Sequence, residues 1–187
     1  MKMRNKKPFI VICTVLIITA AVPAAVFLNR MMATIIGPYI FLPDYSKPVS
    51  KIINDTETGI IIEQISRRIE VYSDNELIWR LPYNVKAQDF IFADVDHDGE
   101  NELLVLCWKR GRYGKKRPTW VKHDEIKWSQ HIFIYEVTDN TVRPKWMASD
   151  IGMNVSTWYF SDGVLCIEDT DGIITEWVWR TWGLEKL

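Results

Sequence analysis

The chain has 187 residues, with 23 Lys and Arg against 24 Asp and Glu and a net charge of −1. Five of the basic residues and none of the acidic ones fall in residues 1–30, so from residue 31 onward 18 basic residues face 24 acidic ones, a balance of −6. That excess argues against a general nucleic-acid binder, which needs a basic face for phosphates, and three cysteines without C-x-x-C spacing argue against a zinc or dithiol centre.

The chain opens with Lys2, Arg4, Lys6 and Lys7, followed by an uncharged, largely apolar run from Pro8 to Leu28. About 20 such residues rising 1.5 Å each cross a bilayer. The run is longer than the ~7–15-residue core of a signal peptide, although Ala21-Val22-Pro23-Ala24-Ala25 resembles a peptidase site. An uncleaved anchor over 8–28 is the favoured reading. The basic residues before it and the lone Arg30 after it place 1–7 in the cytoplasm and the C-terminal part outside. The expectation is a single-pass plasma-membrane protein with an extracytoplasmic domain in the cell envelope. Residues 29–48 carry Gly37-Pro38, Pro43 and Pro48 among Tyr39, Phe41 and Tyr45. Proline fixes φ and removes donors, so this stretch reads as an extended neck, its aromatics free to lie on the membrane or on the domain.

From Val49 to Leu187, short runs rich in Ile, Val, Tyr and Trp alternate with Asp, Asn and Gly turn signals, so the domain reads as mainly β. The pattern repeats. Ile69–Tyr72, the turn Asp74-Asn75 and Trp79 parallel Ile132–Tyr135, Asp139-Asn140 and Trp146. A shorter version runs through Trp158–Phe160, Ser161-Asp162-Gly163, Val164–Glu168, Asp171-Gly172 and Ile173–Trp179. Three units of roughly four strands result, each the size of a propeller blade. A closed ring usually takes about 4–8 blades. The expected fold is therefore an all-β, propeller-like antiparallel repeat domain that is open, is completed by neck strands, or packs as a sandwich.

The densest chemistry lies between Phe90 and Val105, where Asp94, Asp96 and Asp98 alternate before Gly99 and Glu102 follows. Converging carboxylates repel unless a cation joins them, and oxygen donors without His or Cys suit Ca²⁺. An EF-hand would place its bidentate Glu at the twelfth position, which is Val105 here, and would flank the loop with helices rather than short apolar runs. The strand, DxDxDG, strand arrangement resembles the FG-GAP or VCBS-type repeat of integrin-like β-propellers. The resemblance implies ligands at Asp94, Asp96, Asp98 and Glu102, with the backbone carbonyl of Glu100. Forty residues earlier, Asn54, Thr56, Thr58 and Ile62 around Gly59 occupy the corresponding places without the charges.

An insertion, 109–130, interrupts the second unit. Lys109, Arg110, Arg112, Lys115, Lys116 and Arg117 surround Tyr113, with Trp120 and Trp128 beyond. Clustered cations attract phosphate and carboxylate groups, so Lys109, Arg110, Arg112, Tyr113, Lys115, Lys116, Arg117 and Trp120 form a candidate surface for an anionic envelope polymer or envelope protein. A solubilising loop is the plainer alternative. No G-x-S-x-G, H-E-x-x-H or phosphate-cradling loop is present. A glycosidase needs only two carboxylates, and Glu125, Glu136, Asp150 and Glu168 are available, but no spacing selects a pair. The sequence thus reads as a membrane-anchored, calcium-binding, non-catalytic β-repeat module that binds or scaffolds an envelope partner, with an envelope polysaccharide or wall hydrolase as the alternative.

Overall fold

The computed structural model describes residues 31, 41–111, 119, 122, 124, 126–138, 140–148 and 151–187. The chain divides into Met1–Phe41 and Leu42–Leu187, and every strand belongs to the second unit. The expected anchor, 8–28, lies outside the described residues. Among those described, no helix is long and apolar enough to cross a membrane.

Twelve strands make three four-stranded antiparallel sheets, none of them closed on itself. The first holds β1 (Lys51–Asp55), β2 (Ile60–Ile65), β3 (Arg68–Ser73) and β4 (Glu76–Arg80) in that order. In the second, β5 (Lys86–Ala93), β6 (Glu102–Lys109), β7 (Ser129–Thr138) and β8 (Thr141–Met147) follow the same meander. The third contains β9 (Val155–Ser161), β10 (Val164–Asp169), β11 (Ile174–Arg180) and β12 (Gly183–Lys186). The three units legible in the sequence are these three sheets. The last strand, β12, gave no signal of its own because it offers only four residues, Gly183-Leu-Glu-Lys186.

Turn chemistry follows the residues. Asp74 and Asn75 have φ of 49° and 67°, and Asp162 and Gly163 have 53° and 79°. Both pairs close two-residue hairpins whose left-handed turns match strand twist. The β1–β2 turn keeps Gly59 at a φ of 72°, as Gly99 keeps 93° in the acidic loop. Yet that turn joins Asp55 to Ile60 directly, and Ile62 sits inside β2 opposite Ile53 and Val71, so it is not a turn position.

The second sheet is the centre of the stack. Strand β6 is buried along nearly its whole length, as a strand covered on both faces must be. Leu103, Val105 and Cys107 pack with Ile62, Ile69 and Val71 of the first sheet, while Leu104 and Leu106 pack with Trp158, Leu165 and Ile167 of the third. The outward faces of the outer sheets mix charged with exposed apolar residues: in the first sheet Glu63 lies between Ile52 and Glu70, and Glu70 opposite Arg80. Glu176 and Glu185 occupy the corresponding face in the third.

Buried polar side chains tie the sheets together. Gln88 of β5 accepts at Oε1 from Trp108 Nε1 and Gln130 Nε2, both at 2.8 Å, and its carbonyl accepts from Gln64 Nε2 at 2.9 Å. Gln130 in turn holds Val155 of β9 through both amide atoms, at 2.7 and 3.1 Å. Beside it, Asp89 pairs with Lys51 of β1 at 2.7 Å and accepts from Trp158 of β9 at 2.7 Å. The end of the neck joins the same place, where Val49 donates to the Gln88 carbonyl and the Tyr45 ring lies 5.8 Å from that of Trp108. Cys107 and Cys166 are both free and buried. Cys107 belongs to the core shared with the first sheet, and Cys166 lies on the face of β10 opposite Leu165 and Ile167.

Candidate cation loop and binding groove

The eight residues 94–101 connect β5 to β6. Asp94 organises them: its carboxylate accepts the N–H of Asp98 at 3.2 Å and of Gly99 at 3.0 Å, folding the chain back on itself. Asp98 Oδ1 accepts the N–H of Glu100 at 2.9 Å, and Glu102 Oε2 accepts that of Val95 at 2.9 Å. His97, with a φ of 65°, lies against the third sheet's β9–β10 turn, so close that a Cβ on Gly163 would sit 2.7 Å from its ring. Asp94, Asp96 and Glu102 each bring one carboxylate oxygen within 4.8 Å of the others.

A fourth group, which the sequence did not reveal, completes the cluster. Lys145 of β8 places Nζ 2.5 Å from Asp96 Oδ2, 2.7 Å from Glu102 Oε1 and 3.8 Å from Asp98 Oδ2. It arrives there through a β-bulge. Ile134 pairs with Trp146 and Tyr135 with Pro144, so Lys145 is an extra residue. A bulge re-aims a side chain, here toward the third sheet, where Nζ lies 5.7 Å from the Trp179 ring centre. Burial pushes the Glu102 carboxyl above its ordinary pKa, against the Lys145 and Val95 hydrogen bonds that pull it down. Burial also pulls the Lys145 ammonium down, but its hydrogen bonds to Asp96 and Glu102 outweigh this and hold it well above the usual lysine range.

The donor set suits a hard divalent cation, because the converging atoms are all carboxylate oxygens and Asp96 Oδ1 is buried without a partner. Lys145 holds one oxygen of each of Asp96 and Glu102, Oδ2 and Oε1. Glu100 is exposed, and its described contact is the N–H given to Asp98.

No family model, curated protein or solved structure matches this sequence. The functional reading therefore rests on the chain's own chemistry.

The described part of the second candidate surface lies at the opposite end of the strands. Of the eight residues expected to form it, Lys109 and Arg110 are described; Arg112, Tyr113, Lys115, Lys116, Arg117 and Trp120 lie outside the described residues. Lys109 Nζ sits 5.6 Å from the centre of the Phe133 ring, and the Arg110 guanidinium 4.6 Å from that of Trp128. Nearby, the exposed Tyr83 ring lies beneath Lys86 Nζ at 4.4 Å and the Arg68 guanidinium at 5.8 Å. Between the first and second sheets opens a groove of about 500 Å³, lined among others by Trp79, Lys109, His131, Phe133, Tyr135 and Met147. Trp79 and Tyr135 pack with ring centres 4.8 Å apart on its wall. Of the carboxylates available for hydrolysis, Glu136 is exposed on β7 and Glu168 half-buried on β10; Glu125 and Asp150 lie outside the described residues.

Proposed function

We propose that this chain is a membrane-anchored, extracytoplasmic, non-catalytic binding module of the FG-GAP or VCBS-like, blade-repeat kind, with a structural Ca²⁺-type loop at one end and a ligand surface for anionic envelope polymer at the other. The observation that carries the reading is the segregation of charge by topology. On the acidic-loop end, the connections 56–59, 74–75, 94–101, 139–140, 162–163 and 181–182 contain no Lys or Arg. Among the described residues, the opposite connections hold four basic residues, Arg67, Arg110, Lys122 and Lys127, against two acidic ones, Asp124 and Asp171. The described Arg68, Lys86 and Lys109 flank them. A domain acidic overall thus offers one cationic, aromatic end beside a groove, the chemistry that attracts polyanions.

The test is titration of the full chain, purified in detergent, with dextran sulfate and with neutral dextran, read by tryptophan fluorescence. The sulfated polymer should bind saturably and lose affinity with salt. Neutralising Arg68, Lys86 and Lys109 to Gln should weaken it about tenfold without shifting the melting temperature. Equal affinity for both polymers would remove the charge-based reading.

A further inference from the structure

We infer that Lys145 is the resident cation of the acidic loop: it closes the loop without metal, and a divalent ion and the lysine are mutually exclusive there. The inference deepens the Ca²⁺ part of the proposed function and rests on it only for the exclusion. Three carboxylates, Asp94, Asp96 and Glu102, converge in a turn whose tip packs on the third sheet, with the more exposed Asp98 at its edge, 3.8 Å from Lys145 Nζ. Backbone N–H groups satisfy Asp94, and Asp98 takes one as well. Asp96 has no backbone partner, and Glu102, 1% exposed, has one oxygen on Val95 and the other on Lys145. The two carboxylates that need a cation are therefore the two that the ammonium touches.

The lysine is built for this position. Its side chain is 12% exposed. The bulge after Pro144 puts it on the same side of the sheet as Trp146, which packs on the third sheet. Regular alternation would have turned Lys145 away from Glu102. A single positive charge leaves the cluster negative, and Asp96 Oδ1 unpaired, so the site keeps an attraction for a second kind of cation while Lys145 occupies one oxygen of each of Asp96 and Glu102. The Trp179 ring offers the ammonium a neighbouring resting place when it leaves them.

The test compares the full-length wild type with K145M and with K145M/D96N/E102Q, in EDTA and in Ca²⁺, by thermal melting and isothermal titration. In EDTA, wild type should melt as it does in low Ca²⁺, and K145M about 5–10 °C lower. The triple variant, whose cluster has lost charge on both sides, should recover most of that loss and ignore Ca²⁺. K145M should be restored by Ca²⁺ and bind it at least tenfold more tightly than wild type. K145M melting like wild type in EDTA with an unchanged Ca²⁺ affinity would overturn the inference, as would a triple variant no more stable than K145M, which would make the lysine a packing residue only. Destabilised K145M with Ca²⁺ binding to neither protein would overturn both the exclusion and the calcium reading, leaving the lysine as the loop's sole cation.

Discussion

Gln88 shows how much of this fold depends on single polar residues. It is 4% exposed, and its side chain and carbonyl together meet groups from the neck, β2, β6, β7 and β9. Buried polar groups cost little when fully paired and much when one partner is removed, because the remaining donors are stranded away from water. Gln88→Leu keeps the volume but strands Trp108 Nε1, so it should lower unfolding free energy by about 2–4 kcal/mol, measured by urea denaturation. Gln130→Leu should cost a comparable amount, and the double variant less than the sum, since both lose the same contact. Strict additivity would show that the two amides do not act as one network. None of this was legible in the sequence, where an isolated Gln in a strand reads as a solvent-facing residue.

At the level of elements, what could be read and what could not have separate physical causes. Hairpins announced themselves because Asp74-Asn75 and Asp162-Gly163 are the residue types that tolerate left-handed turns. Apolar runs such as Leu103–Leu106 marked strands, and the structure covers this one on both faces. The Asp94–Glu102 spacing brought the expected carboxylates Asp94, Asp96 and Glu102 to one point. Bulges were hidden, and they place the decisive groups: Gln88 is the extra residue between Ala87 and Asp89, as Lys145 is between Pro144 and Trp146. Period-two alternation assigns such residues to the wrong face. Strand β12 was missed for a related reason, since it is defined by fit instead of apolar pattern. Gly183 is buried, and a Cβ there would lie 2.4 Å from the Trp146 indole nitrogen of β8. Gly183→Ala should therefore push β12 off the second sheet and cost about 1–3 kcal/mol, visible as a lowered melting temperature and a changed near-UV tryptophan signal. Wild-type stability in that variant would mean that Trp146 yields at no cost.

Across the whole molecule, the three sheets behave as one stack with two ends. The central sheet packs an apolar face on each of its neighbours, so the outer sheets complete it. The polar bridges run the same way: Asp89 joins Lys51 of the first sheet to Trp158 of the third across β5, and Gln130 carries the Gln88 network on to Val155. Repeat proteins in which each unit touches only its neighbours can lose a terminal unit piecemeal. Here loss of the third sheet would bare Val95, Leu104, Leu106, Ile132 and Ile134 together and leave Asp89 without its indole partner. At ~25 cal/mol per Å² that exposure removes several kcal/mol, most or all of a domain's margin. Unfolding of the full chain in calorimetry should accordingly show one transition for residues 42–187, with calorimetric and van't Hoff enthalpies equal. A chain ending at residue 148 should show no cooperative melting and should associate in size-exclusion chromatography. If that shortened chain instead stays monomeric and melts sharply, the first two sheets form an independent domain, and the third is an appended unit whose loss the glutamine network survives.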